Sequence, residues 1–239
     1  KLLMNWLVLI GSVWLGGLLG LTADFIRQTV WPKIFLSFGG AYLLGVSFLV
    51  LLPMVYQGSA ASVGVWVLVG FLIQIFLEYF SQGIEHGHMH LHEHGKGSII
   101  VAVMFGLCIH AYLEGFPLDY LSHAHEHEHL LGSSYLWGLA FHKFPAAFAL
   151  VTICKGHHLK RQTILLCLTI FSLMSPLGYL TGGMLDVIPY LPQINALVVG
   201  LFLHIATTIL FEMSPSHRAI SLYRLIAILA GFILVYLTR

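Results

Sequence analysis

Long apolar runs separated by short polar segments dominate this chain. Each run has the roughly 20 residues that an α-helix needs to cross about 30 Å of hydrocarbon. The runs are continuously apolar instead of alternating with polar residues, which argues against the strands of a membrane β-barrel. They predict eight transmembrane helices, at Leu2–Leu21, Ile34–Tyr56, Ser62–Phe80, Ile99–Leu118, Tyr135–Cys154, Thr163–Leu185, Ile194–Phe211 and Ala219–Leu237.

The composition supports this fold class and excludes others. Of the 239 residues, 58% are hydrophobic and 9% are charged, whereas soluble domains are about a quarter charged. The net charge of +1 gives no basis for nucleic-acid binding, and three cysteines in apolar runs do not indicate a disulfide framework. We therefore expect an all-α integral membrane protein in a plasma or inner membrane, with residues 1–239 forming a single transmembrane domain in contact with the lipid bilayer.

The positions of lysine and arginine predict the orientation of the bundle, because these residues accumulate in cytoplasmic loops. The loops after even-numbered spans hold none, and only Lys1 and Arg239 lie on that side. Both termini are therefore expected outside the cytoplasm. The first run lacks the basic start and cleavage site of a signal peptide, so we expect it to be retained. The loops after odd-numbered spans hold seven lysines and arginines, namely Arg27, Lys33, Lys96, Lys155, Lys160, Arg161 and Arg218.

Few ionisable residues lie within the spans, where a charge costs at least about 2.5–3.5 kcal/mol and therefore indicates function. His110 and Glu114 are four residues apart, on one face of the fourth span. An imidazole and a carboxylate stacked in this way can hold a first-row divalent cation. The fifth span adds His142 and Lys143. His204, in the seventh span, is equally consistent with a hydrogen bond between helices.

Two histidine-rich tracts account for nine of the fifteen histidines. Histidine at nearly every second residue of a polar loop forms interchangeable weak sites for zinc, copper or nickel. The predicted orientation places tract 85–94 in the cytoplasm and tract 123–129 outside. Metal capture, buffering and pH sensing are all compatible with these tracts. Their histidines are His86, His88, His90, His92 and His94 in the first, and His123, His125, His127 and His129 in the second.

These motifs together resemble the ZIP (Zrt/Irt-like) family of divalent metal transporters over essentially the full chain. The resemblance is carried by His110, Glu114 and Gly115 in the fourth span and by His142-Lys143 in the fifth. Further matches are LLP at 51–53, SPLG at 175–178 and the histidine-rich loop between the third and fourth spans. Eight helices with extracytoplasmic termini are also that family's topology.

The resemblance implies transport of a divalent ion, most often zinc, into the cytoplasm, with His110, Glu114 and His142 as metal ligands between helices 4 and 5. The chain has Ala146 where many members carry a carboxylate, and Lys143 where members with two metals carry an acidic residue. These departures imply one metal and an incomplete shell, which water, His204 or Glu212 would complete. Lys143 would modulate the site.

The resulting hypothesis is a transporter, not an enzyme, with zinc as transported substrate and no prosthetic group. Other divalent transition metals are possible substrates, because such ligands accept several of them. Small-residue pairs such as Gly16-Gly17 also permit a homodimer. The alternative is a membrane-embedded zinc-dependent hydrolase, although no span contains the H-E-x-x-H signature.

Overall fold

The computed structural model describes residues 2–23, 29–56, 60–81, 96–123, 129–184, 190–212 and 221–238. All regular structure in these ranges is helical apart from short turns, as the apolar runs predict. The helices are α1 (Leu2–Thr22), α2 (Trp31–Val46), α3 (Leu52–Tyr56), α4 (Ala60–Ser81), α5 (Lys96–Leu113), α6 (Phe116–His123), α7 (His129–Gly156), α8 (Arg161–Met184), α9 (Leu191–Glu212) and α10 (Leu222–Thr238).

These helices overlap all eight predicted spans. Seven helical segments are long and apolar enough to cross a membrane, and α10 is a shorter apolar helix of 17 residues. Large apolar side chains such as Leu3, Leu72 and Phe211 are exposed on the outer faces, as expected of surfaces covered by lipid rather than water. An all-helical membrane bundle is therefore confirmed. Eight crossings, extracytoplasmic termini, one domain and a homodimer stay predictions.

The second predicted span is not a uniform α-helix. A π-helical turn at Ser47–Leu51 joins α2 to α3, and the backbone N–H of Leu52 donates to the carbonyl of Ser47, five residues earlier. Pro53 follows directly, and its ring removes one N–H from the helical ladder. The local change in pitch is a π-bulge, an insertion that is frequent at functional sites.

The helices pack into two apolar clusters that meet near the middle of α7. The first cluster joins α2 and α9 to the first half of α7. Leu139 is the last buried residue that α7 contributes to this cluster. The second joins α5 and α8 to the second half of α7, beginning with Ala146. His142 lies between these two residues, so its side chain is at the boundary of the clusters, in the interior of the bundle.

Glycine permits the closest of these helix contacts. A Cβ atom on Gly70 of α4 would overlap the main-chain carbonyl of Leu197 in α9. Gly200, on the facing helix, meets the carbonyl of Val67 in the same way. Because the obstacle in both cases is backbone, a neighbouring side chain cannot relieve it by changing rotamer. The α4–α9 crossing therefore depends on these two small residues.

Replacing Gly70 by alanine is expected to separate α4 from α9 and to lower stability by roughly 1–3 kcal/mol, the usual cost of overpacking. Gly64 is the matched control, because it lies on the same helix and a Cβ there has no atom within 4 Å. Gly64→Ala should leave stability unchanged or raise it through helix propensity. Unfolding midpoints in detergent micelles compare the two variants, and equal midpoints would contradict the proposed contact.

Candidate metal site

The predicted ligands His110, Glu114 and His142 come together in the interior of the bundle. One ligand atom from each lies within 4.8 Å of the others, and the three side chains are 2%, 0% and 2% exposed. The Nε2 atom of His110 is 3.0 Å from Oε2 of Glu114. The rings of His110 and His142 stand edge to face, with centroids 5.8 Å apart. Among the described residues this is the one group of three that could hold a metal ion.

A break in the fourth predicted span positions Glu114. Helix α5 ends at Leu113 and α6 begins at Phe116, with a turn at 114–115 between them. Pro117 has no N–H to donate to the carbonyl of Leu113, which favours a break at this point. The sequence predicts one span over 99–118 in which Pro117 frees a neighbouring carbonyl or kinks the helix, and the structure shows a turn that divides the span into two helices. His110 and Glu114 nevertheless keep their helical spacing, since the N–H of Glu114 still donates to the carbonyl of His110 at 3.1 Å.

The break also lies tightly against α8. A Cβ on Gly115 would come within 2.9 Å of the main-chain nitrogen of Tyr179 and 3.0 Å of the Cα of Gly178. Only glycine allows this approach, which explains why both partners at the crossing are glycines. The SPLG motif at 175–178 therefore has a structural role as the surface that receives the turn.

Lys143 is part of the same buried group. Its Nζ forms an ion pair with Oε1 of Glu114 and lies 4.9 Å from the ring centroid of Phe171. The side chain is 2% exposed, so it does not extend to the membrane surface. The ammonium charge balances the carboxylate, and the aromatic face adds a favourable cation–π contact. Without a metal ion the site is close to electrically neutral.

Two hydroxyl groups hold Glu114 from other helices. The Oγ of Ser175 in α8 lies 3.1 Å from Oε1 of Glu114 and donates to the carbonyl of Ala111 at 2.6 Å. The hydroxyl of Tyr135 in α7 donates to the main-chain carbonyl of Glu114 at 2.7 Å. The ion pair and Ser175 both engage Oε1. Oε2 is the oxygen that faces His110, whose Nε2 lies 3.0 Å away.

Gln74 of α4 contacts the site from the opposite side and was not predicted. Its Oε1 is 3.0 Å from Nδ1 of His110. The signal in the sequence was weak but present, because Gln74 is the one amide side chain in the apolar run 65–77. A search restricted to ionisable residues passes over an amide of this kind.

His204 and Glu212 were the two weaker ligand candidates. His204 lies outside the cluster of three ligands, and the side chain of Glu212 is not described. His204 of α9 pairs through Nε2 with Oε2 of Glu78 in α4, and its ring packs edge to face on Phe71 with centroids 4.9 Å apart. His204 is not in the group of possible metal ligands. Glu212 is the last residue of α9, and its side chain lies outside the described part of the chain.

The histidine-rich tracts lie almost entirely outside the described residues. The structure does not describe tract 85–94, nor His125 and His127. His123 is the last residue of α6 and His129 the first of α7, and neither side chain is described. Metal capture by these loops therefore stays a prediction.

Comparison with known families decides the assignment. A family model described as "ZIP Zinc transporter" matches residues 85–239, from the first histidine-rich tract to the end of the chain. The chain belongs to the ZIP family. No curated protein matches it at a significant level.

Membership of the ZIP family confirms the resemblance seen in the motifs. ZIP proteins are transporters rather than enzymes, and a metal ion is their substrate rather than a bound cofactor. The matched region includes His110, Glu114 and His142. The long apolar helices agree with the membrane location of this family.

Proposed function

We propose that this ZIP protein carries zinc into the cytoplasm through a single-metal site formed by His110, Glu114 and His142, between the fourth and fifth transmembrane spans. The observation that carries the proposal is the geometry around Oε2 of Glu114. An imidazole nitrogen lies 3.0 Å from this carboxylate oxygen, and a second imidazole is close by. In a tetrahedral zinc site with ligands at about 2.0–2.1 Å, ligand atoms are ~3.3 Å apart.

The arrangement of charge supports one ion rather than two. Glu114 is the one carboxylate among the three clustered residues. Lys143 contacts its Oε1, and the ammonium occupies the side where a second cation would have to bind. His204 is paired with Glu78, so water is the fourth ligand that fits best. Two neutral imidazoles, one carboxylate and water complete a four-coordinate zinc shell.

The ligand types favour a transported ion over a permanently held one. Neutral imidazole suits zinc and neighbouring transition metals, and magnesium and calcium prefer all-oxygen sites. Without thiolate ligands the ion can be released again. A hydrolase would need a general base next to the metal-bound water. Glu114 is held by Lys143 and Ser175, so it is unsuited to that role.

The family resemblance implies transport into the cytoplasm, and the distribution of basic residues indicates which side of the bundle faces the cytoplasm. Seven lysines and arginines lie in loops after odd-numbered spans and none in loops after even-numbered spans, which supports extracytoplasmic termini. In this orientation, tract 123–129 faces the outside, where it would capture ions. Tract 85–94 faces the cytoplasm, where it would receive them.

Zinc uptake into proteoliposomes tests the proposal. His110→Ala and His142→Ala each remove one ligand, so we expect saturable uptake to fall by roughly an order of magnitude or more, as one metal ligand is lost from three. The matched control is His158→Asn, because His158 is exposed in the turn after α7 with φ 58, a conformation that asparagine tolerates. Equal uptake by the two ligand variants and the control would overturn the site assignment.

A further inference from the structure

Gln74 carries a fully buried carboxamide. The side chain is 0% exposed and lies between Ile73 and Ile75 in an apolar segment of α4. A buried amide without a hydrogen bond would cost about 1–3 kcal/mol. Its oxygen is instead 3.0 Å from Nδ1 of His110, on the ring edge that faces away from Glu114.

An acceptor oxygen at Nδ1 favours one of the two tautomers of the His110 ring. The carbonyl oxygen of an amide accepts only, so Nδ1 of His110 must be the N–H donor. In a neutral imidazole the other nitrogen, Nε2, then carries the lone pair. Nε2 is the atom that lies 3.0 Å from Oε2 of Glu114. The lone pair is therefore directed to the position where the metal ion would bind.

The opposite tautomer would oppose metal binding. It would place a proton on Nε2 in a hydrogen bond to the carboxylate of Glu114, and that proton would have to leave before a metal could bind. It would also set the lone pair of Nδ1 against the oxygen of Gln74. One amide therefore orients the ring and prepares the metal-binding nitrogen at the same time.

We propose that Gln74 is a positioning residue of the transport site, which holds His110 as the Nδ1–H tautomer and so presents Nε2 to the ion. The proposal rests on the proposed function, and it extends the site from the fourth and fifth spans to the third. Hydrogen-bond partners of metal-binding histidines usually act in this way. Gln74 itself contacts the ligand, not the ion.

Three variants of the full-length protein separate positioning from packing. Gln74→Leu keeps much of the side-chain volume but removes the acceptor, whereas Gln74→Glu keeps an acceptor oxygen in the same place. Ser81→Ala is the control, because Ser81 is buried on the same helix and, among the described residues, its hydroxyl bonds the nearby carbonyl of Glu78 at 3.5 Å. Zinc affinity is measured by titration of each purified variant against a chromophoric chelator.

We expect Gln74→Leu to weaken zinc binding by roughly 10–100-fold, the usual effect of removing such a partner. Gln74→Glu should restore the affinity, and Ser81→Ala should bind zinc as the unaltered protein does. Wild-type affinity in Gln74→Leu would overturn the proposal. Equal weakening in the leucine and glutamate variants would also overturn it, since the side chain would then act through its packing alone.

A second measurement does not depend on zinc. Protein containing histidine labelled with ¹⁵N only at Nδ1 reports by solid-state NMR whether that atom is protonated, and subtraction of a His110→Asn spectrum isolates the signal of His110. In the metal-free protein Nδ1 should be protonated, and in Gln74→Leu the signal should divide between both tautomers. A protonated Nδ1 in a protein that binds no zinc would reject the proposed function and keep this assignment. An unchanged tautomer in Gln74→Leu would reject the assignment alone.

Discussion

Glutamine in place of Glu114 is expected to destabilise the protein and to abolish zinc binding, two effects that a second substitution can separate. Glu114 and Lys143 form an ion pair with 0% and 2% of their side chains exposed. Removing one partner of a buried pair costs about 3–5 kcal/mol, because the remaining charge is left in a medium of low dielectric constant. The same substitution removes the carboxylate ligand, so the zinc titration should show no saturable binding.

The double variant Glu114→Gln with Lys143→Met tests this account. Replacing both members of a buried pair with uncharged residues is often neutral in stability, and methionine fills the volume of a lysine stem with a flexible apolar chain. The unfolding midpoint in detergent should return close to that of the unaltered protein, and zinc binding should remain absent. A single variant as stable as the unaltered protein would contradict the buried pair. A double variant that binds zinc would contradict the role of Glu114 as a ligand.

The second large effect is expected from Lys143→Met alone, which should tighten zinc binding by about 100-fold. Unit charges 4 Å apart repel with ~4 kcal/mol at an effective dielectric constant of about 20, and a divalent ion doubles this energy. Relief of about a third of this repulsion energy corresponds to a Kd for zinc that is roughly 100-fold lower. Because an ion that binds more tightly leaves more slowly, both the KM and the maximal rate of uptake should fall.

Lys155→Met is the matched control for this prediction. The Nζ of Lys155 bonds the carbonyls of Gly20 and Leu21, at 3.3 and 3.2 Å, at the end of α1, away from the metal ligands. It should leave the zinc Kd unchanged. Calorimetric titration gives the Kd and proteoliposome uptake gives KM. Unchanged or weaker binding in Lys143→Met would show that the ammonium does not oppose the ion.

Features that depend on local periodicity could be predicted from the sequence. The helical segments follow from runs of apolar residues, and the shared face of His110 and Glu114 follows from their spacing of four. The convergence of His142 on that face was expected from the family resemblance, and the donor cluster agrees with it. In these cases one span, or one motif on each of two spans, contains the required information.

Features that depend on contacts between distant spans could not be predicted in the same way. Gln74 and Ser175 reach the site because α4 and α8 pack against α5, and no spacing along the chain encodes which helices are neighbours. His204 shows the converse. Its isolation in an apolar run made it a candidate ligand, but the close approach of α4 and α9 gives it Glu78 as a partner. The break at 114–115 required both Pro117 and the glycine surface of α8.

The hydroxyl of Tyr135 has a consequence for ion discrimination. It secures the main-chain carbonyl of Glu114, while Lys143 holds one of the carboxylate oxygens. The carboxylate is thus restrained at both its backbone and its tip, and it can offer an entering ion little more than a single oxygen. Calcium needs six to eight oxygen ligands, and magnesium a regular octahedron of them. We therefore expect the restraint of this one side chain to disfavour binding of the alkaline-earth ions.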